Sequence, residues 1–556
     1  MKRQYYYKNN PIVKSIFLKM LTPTILMNLT TALASFADTV IIGHFLDDLS
    51  LSVVTFATPL YMIINTFAAL FAVGGSIAMS IDSGKGSRDN ANRAFSVSVE
   101  LLLFTGIILL LSGIFLGKQI TGWLGAGKAV FDMVQDYSVI VLVFAPIFML
   151  NVGLAFFVRN DGRPTLSMVG MFLSIAVNIV LDIVFIGVCD WGVKGAAFAT
   201  VLGQLVSVLV ISTHFFSARN TLRFRFAFGK TALRIVKNGS STALHFIYQF
   251  ITILILNHFI EKLVGTSGVV VYTVVFNLYT VSLAMFEGIS QTIQPMVSLY
   301  VGEKSYAKIR NTMRLAFVAI IIICGLVTCA LEIVPGVVPR IFGIEGAMII
   351  QQSETAVRIF AVSMIIMTVN VVLGYYLQST EHSVMAAILV SLRCFALFLG
   401  STLVLGKIFG MNGLWGAYAV AEVLTFVIYI VMNRIMRRKL RRRGVNTNYL
   451  LLDTNVENKI ICLTYSVCND NFYDFKANVM SNVDPDMADS VKAYLDEIEK
   501  CIMYNKNRFI EVEINGVEGR IIIRDNLNHE MLPKETKKEA GYGPVLGWNR
   551  MCFERG

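Results

Sequence analysis

Apolar runs long enough to cross a hydrocarbon layer about 30 Å thick leave this chain few folds to choose from. Twelve such runs fall roughly at 15–45, 50–80, 94–117, 130–157, 165–188, 193–216, 241–261, 268–300, 313–333, 353–378, 384–406 and 413–434. The chain is 55% hydrophobic and only 15% charged, with a mean hydropathy of +0.64, which excludes a set of soluble domains. Residues Met1–Lys14 are polar and basic, and the first apolar run continues past signal-peptide length without a small-residue cleavage site, so it is expected to be a true span.

The net charge of +11 does not point to nucleic acid, because it is unevenly placed. Residues 1–445 hold 35 Lys and Arg against 19 Asp and Glu, whereas residues 446–556 hold 13 against 18. The basic residues collect in alternate loops: Lys85, Arg88 and Arg93, then Arg159 and Arg163, then Arg219 to Lys237, Lys304 to Arg314, and Arg434 to Arg443. The positive-inside rule then predicts a multi-pass protein of the cytoplasmic membrane with both termini cytoplasmic. The eight cysteines form no C-x-x-C pair and read as free thiols.

The chain repeats itself. SIDSGKGSRDNANRAF from Ser80 and SLYVGEKSYAKIRNTM from Ser298 each follow the second run of a half, at an offset of 218 residues. Six spans per half starting on one side make the repeats parallel, an arrangement of transporters more than of channels or membrane enzymes. The expected fold is an all-α polytopic membrane protein of twelve transmembrane helices in two six-helix lobes. The expected divisions are lobe 1–218, linker 219–240, lobe 241–436, basic linker 437–450 and a small cytosolic α/β domain 451–556.

Inside the first lobe, Asn178 and Asp182 lie four apart in NIVLDIVFI, on one helix face. An intramembrane carboxylate is costly and reads as functional. Asp38 follows Lys19 by 19 residues and Asp182 follows Arg163 by 19, so both acids reach the same outer level. That level is about 28 Å along each helix. Thr200 sits at a comparable depth on the returning span, and the four side chains are expected to share one oxygen-rich pocket. Hard oxygen ligands suit Na⁺, while paired acids in low dielectric also suit a shared proton, and both ions stay open.

Pro23, Asp38, the Asn178–Asp182 pair, GVKGAAFATV at 192–201 and GISQTIQPMVSLYVGEKS at 288–305, in this order and spacing, resemble the multidrug and toxic compound extrusion (MATE) family over residues 11–437. The resemblance implies two lobes around a V-shaped cavity and an antiporter exporting small organic cations, and the protein is expected to be a monomer. The resemblance places the Na⁺ or H⁺ site on Asp38, Asn178, Asp182 and Thr200, with no other cofactor, and a bend of the first helix at Pro23.

The second lobe has no matching acids: the offset brings Leu256 to Asp38 and, with a small shift, Ser401 to Asp182. Its deep charges are Glu287 and Arg393, read either as a substrate-attracting acid in the cavity or as an ion pair holding the lobe together. Glu100 and Glu422 read as interhelix hydrogen-bonders, and His245 and His258 as core or interfacial residues.

After RRKLRRR (437–443), a stop-transfer run, the tail alternates strand and helix patterns: strands at 460–467, 509–514 and 519–524, and a helix near 486–504. The order resembles the histidine-kinase-like ATPase fold of anti-sigma-factor kinases. The resemblance puts Glu497 on the metal-binding helix, Asp525 at the adenine and Gly541 and Gly543 in the phosphate lid. Cys501 stands where that family has its Mg²⁺-binding Asn and Leu527 where it has a Gly, so a degenerate regulatory module is expected, with an unknown cytosolic partner. Two other functions compete with the antiporter: a flippase for a lipid-linked glycan, and a membrane-tethered sensor acting through the tail. The first wants many cavity cations, and only Arg393 is clearly deep.

Overall fold

The computed structural model describes residues 10–46, 48–225, 229–264, 266–341, 347–453, 460–466, 472–502, 509–515, 520–525, 543–546 and 548–554. The first lobe is α1 (Pro11–Phe45), α2 (Asp48–Gly84), α3 (Arg88–Trp123), α4 (Phe131–Val143), α5 (Ala145–Asn160), α6 (Pro164–Asp182) and α7 (Gly192–Ser212). The second is α8 (Lys230–Val264), α9 (Thr266–Glu303), α10 (Tyr306–Ile333), the short α11 (Val337–Ile341), α12 (Ala347–Ser379), α13 (Ser383–Ser391) and α14 (Leu397–Arg442). Nine helical stretches among the described residues are long and apolar enough to cross a membrane, or ten when α4 and α5 count as one span bent by 48°. Pro146, in the first turn of α5, has no N–H to continue the ladder of α4.

Local chemistry sets the helix ends. The Asn10 side chain accepts from the backbone N–H of Ile12 at 3.0 Å and Val13 at 3.2 Å, and Pro11 follows as the first helical residue of α1. The stretch Ser383–Arg442 is 60 residues long, far more than the ~20 that one crossing needs. It reverses at Gly410, where φ is +61° and ψ −138°, a conformation that needs glycine. Residues on either side of that reversal pack together, since a Cβ on Gly413 would lie 2.0 Å from the Leu405 carbonyl oxygen.

The second lobe begins earlier than expected, because α8 starts at Lys230, inside the stretch read as a linker to residue 240. The helix enters as part of the lobe contact: Arg234 pairs with Asp82 of α2 at 2.7 Å and with Glu381, in the α12–α13 turn, at 2.6 Å. The 218-residue repeat is visible in the backbone. Gly86 and Lys304 both take a left-handed φ, +80° and +57°, in the turns before α3 and α10.

The two lobes meet at the basic end, where the α2–α3 and α9–α10 turns lie. There α2 runs backbone to backbone against α8 and α9. A Cβ on Gly74 would come within 2.0 Å of the Ile235 carbonyl oxygen, and one on Gly84 within 2.1 Å of that of Leu299. The lower part of α1 crosses over, with Ile12, Ile16, Phe17 and Met20 buried in the core of the second lobe.

Beyond α14, β1 (Ile460–Ser466), β2 (Phe509–Asn515), β3 (Arg520–Asp525), β4 (Gly543–Val545) and β5 (Trp548–Glu554) form one antiparallel sheet in the order β1-β2-β3-β5-β4. Helices α15 (Phe472–Met480) and α16 (Pro485–Ile502) cover one face, burying Val479, Val491, Leu495 and Ile498 against Val512, Ile521 and Ile523. The opposite face carries Glu511, Glu513, Arg524 and Arg550, all buried.

Candidate ion and substrate sites

In the first lobe α6 delivers Asn178 and Asp182 from one face, 5% and 1% exposed. Asn178 donates from Nδ2 to Thr200 Oγ1 on α7 at 3.3 Å, and Thr200 donates to the Ala196 carbonyl at 3.0 Å. Gly203 makes this approach feasible, since a Cβ there would sit 2.5 Å from the Ser174 carbonyl oxygen. Asp182 is the last α-helical residue before a π-turn, Ile183–Val188. Such wide turns occur often at functional sites and re-aim the groups beside them. Asp38 lies on α1, which packs against α6, but its side chain falls outside the described residues. Among those described, no cluster of three metal-ligating His, Cys, Asp or Glu occurs. α1 is continuous through Pro23, with no break at that residue.

The second lobe also interrupts its fifth span with a π-turn, Leu392–Ala396, and this one presents Arg393. Arg393 does not pair with Glu287. Its Nε donates to Glu422 Oε1 at 2.8 Å, and Glu422 Oε2 accepts from Asn370 Nδ2 at 2.7 Å. Glu422 is therefore the lobe's internal counter-ion. Arg393 and Glu422 share the wall of a pocket with Tyr272, Tyr279 and Tyr418. Glu287 lines a second pocket beside Tyr375 and Gln378, and Arg393 lines both. His245 borders both and lies with Nδ1 3.2 Å from Cys394 Sγ. The side chain of His258 is outside the described residues. Glu100 is half-buried on α3.

Between the lobes lies a polar layer that sequence reading missed. Arg159, counted above as a loop cation, is fully buried at the end of α5. It donates to Gln291 at 2.8 Å and Gln294 at 3.2 Å on α9, with its guanidinium 4.4 Å over the Phe156 ring. Gln291 in turn donates to Asn28 at 3.1 Å, and Gln294 to Ser76 at 2.9 Å. The signal was present in QTIQ at 291–294, two amides one turn apart in an apolar helix.

Glu497 is half-buried on α16, Asp525 is buried at the end of β3 opposite Asn549, Gly543 opens β4, and Gly541 lies outside the described residues.

Two repeated lobes of long apolar helices, with polar sites buried in each and a polar seam between them, are the architecture of a membrane transporter. The MatE family matches residues 23–184 and 241–403, more than half the chain, and the protein belongs to that family. It is 22% identical over 445 residues to the multidrug export protein MepA of Staphylococcus saprophyticus, covering 78% of this chain and 96% of the relative. It is likewise 22% identical over 440 residues to MepA of Staphylococcus aureus strain N315. Among solved structures, MATE in complex with MaL6 superposes with a TM-score of 0.73 at 20% identity, over 80% of this chain and 100% of that one. An outward-facing multidrug resistance MATE transporter of the MOP superfamily gives 0.72 at 21%, over 80% and 99%.

Proposed function

We propose that this protein is a secondary active antiporter that exports organic cations across the cytoplasmic membrane while Na⁺ or H⁺ enters. The observation that carries the reading is the buried Asn178–Thr200 contact beside Asp182 at the π-turn of α6. A carboxylate, an amide and a hydroxyl lie together where an apolar helix would be cheaper, and hard oxygen donors of this kind suit Na⁺ or a proton. Asp38 joins them in this reading, and the coupling site belongs to the first lobe alone. The Pro23 turn of α1 is the place where ion binding would redirect that helix, since an internal proline leaves one carbonyl without its N–H. The MepA relatives are named as multidrug exporters, which supports drugs as cargo.

Counting α9 and the two arms of the Gly410 hairpin gives twelve crossings. The basic end then faces the cytosol with both termini, and the protein works as a monomer in the bilayer without nucleic-acid partners. The second-lobe cavities, walled by tyrosines with Glu287 at one edge, suit an aromatic cation. Arg393 is neutralised by Glu422, which argues against a pyrophosphate-binding flippase cavity.

The test is efflux of a fluorescent organic cation from proteoliposomes under an imposed Na⁺ gradient and, separately, an H⁺ gradient. Wild type is expected to respond to one gradient and Asp182→Asn to neither. Absence of efflux from wild type under both would favour the lipid-linked glycan flippase.

A further inference from the structure

The charged face of the sheet lies against the seam between the lobes. Arg524 pairs with Glu303 at the end of α9 and with Glu511 at 3.0 Å. Lys308 of α10 pairs with Glu511 at 2.7 Å and with Glu513 at 2.5 Å, and Ser305 also donates to Glu513. From the first lobe, Asn10 at the start of α1 donates to Glu511 at 2.5 Å. Arg550 touches both lobes: its Nη2 donates to the Gly84 carbonyl at 3.0 Å and Nη1 to that of Ser83 at 3.3 Å, while Nε lies 3.3 Å from Glu303 Oε1. Arg520 donates to the Lys85 carbonyl at 3.4 Å.

Three carboxylates, Glu303, Glu511 and Glu513, thus meet three cations, Lys308, Arg524 and Arg550, and none of the six is more than 4% exposed. Buried charges survive only when matched, because removing one partner leaves the other without water or counter-ion. Matching across segments 200 residues apart marks a specific interface. Around it, Tyr300 lies 5.8 Å from Lys308 and 6.0 Å from Arg524, and Leu546 enters the second-lobe core.

We propose that this C-terminal unit is a latch that holds the transporter closed at its basic end. It rests on the antiporter reading above: for an exporter whose basic end faces the cytosol, that end must part for substrate to enter. The latch fits only the closed arrangement. Arg550 reaches Glu303 and the last carbonyls of α2 together because Gly84 and Gly302 are in contact, and separating α2 from α9 breaks one set. A binding unit with contacts in one state only shifts the equilibrium toward that state. Transport is then limited by undocking of the sheet, and whatever competes for its charged face accelerates efflux.

The test uses full-length protein in inverted membrane vesicles, whose cytosolic face is outward. Ser80→Cys, on α2 in the seam, is labelled with a membrane-impermeant maleimide, and its peptide is quantified by mass spectrometry. Arg524→Glu opposes Glu303, Glu511 and Glu513 with a fourth acid. Glu303→Lys sets three cations against it from the transporter side, leaving the sheet's own sequence untouched. Both are expected to label about tenfold faster than the parent, the size of an ordinary conformational coupling, with faster dye transport. Wild-type labelling rates in both variants, each monodisperse and folded, would overturn the latch. Should the parent move no dye under any gradient, the transport reading fails by itself, and the labelling rates still decide whether the sheet holds the seam shut.

Discussion

Gly84 of α2 and Gly302 of α9 lie back to back on the seam between the lobes, 218 residues apart in a chain that repeats at that offset. A Cβ on either would fall within 3.0 Å of the other's Cα, and the one on Gly302 would reach 2.0 Å from the Ile81 carbonyl oxygen. The contact is reciprocal, as two residues beside a pseudo-twofold axis must be. Gly302→Leu is therefore expected to hold the basic end apart and to reduce dye efflux at least tenfold. The melting temperature should fall as well, since overpacking costs about 1–3 kcal/mol. Gly400→Ala, where nothing lies within 4 Å, should leave both unchanged. Efflux assays and thermal melts of the two variants in detergent check this.

The Asn178–Thr200 hydrogen bond makes a separate prediction about the ion. Thr200→Val keeps the shape of the side chain but removes both the acceptor for Asn178 and a potential ligand oxygen. A buried amide left without its acceptor costs about 1–3 kcal/mol. The half-saturating concentration of the driving ion should therefore rise several-fold to a hundredfold, while the maximal efflux rate is largely kept. Titrating efflux against Na⁺, and separately against pH, distinguishes this from a general loss of folding, which would lower the maximum instead.

Much of this was legible in the sequence, and what was not shares one physical cause. Helix periodicity placed Asn178 and Asp182 on one face, and the repeat offset aligned Gly84 with Gly302 as equivalent positions, while their contact emerged only in the fold. Partners chosen by packing between distant segments were not readable. Arg393 takes Glu422 over Glu287 because α14 returns beside its own start after the Gly410 reversal. Arg159 looked like a loop charge because its amide partners come from the other lobe. In FIEVEI, Glu511 and Glu513 alternate with apolar residues as a solvent-facing strand face would, yet that face is covered by α9 and α10. Period-two patterning identifies two faces and is silent on what covers the polar one.

The Arg393–Glu422 pair predicts a particular pattern of stability. Both side chains are under a tenth exposed, so removing one partner leaves a buried charge. Arg393→Met alone and Glu422→Met alone are each expected to cost about 3–5 kcal/mol, whereas the double change Arg393→Met with Glu422→Met should recover most of that loss. Thermal melts of the three variants in detergent form the double-mutant cycle. Equal, additive losses would place the two residues in separate interactions.

The latch interface carries its own pH signature. Burial raises the Glu511 carboxyl, but the neighbouring Lys308 and Arg524 outweigh it and hold the group down at about 2. An exposed glutamate titrates near 4.3. A depressed docked pKa means that this contribution is fully present above about 4.3 and is lost as pH falls from there toward 2. Docking should therefore be insensitive to pH between about 6 and 8. It should weaken only on acidification below about 4.5. Hydrogen exchange of β2 and β3 in the full-length protein, followed across that range, reports the docked face directly. A steep change near pH 6.5 would instead assign release to a histidine.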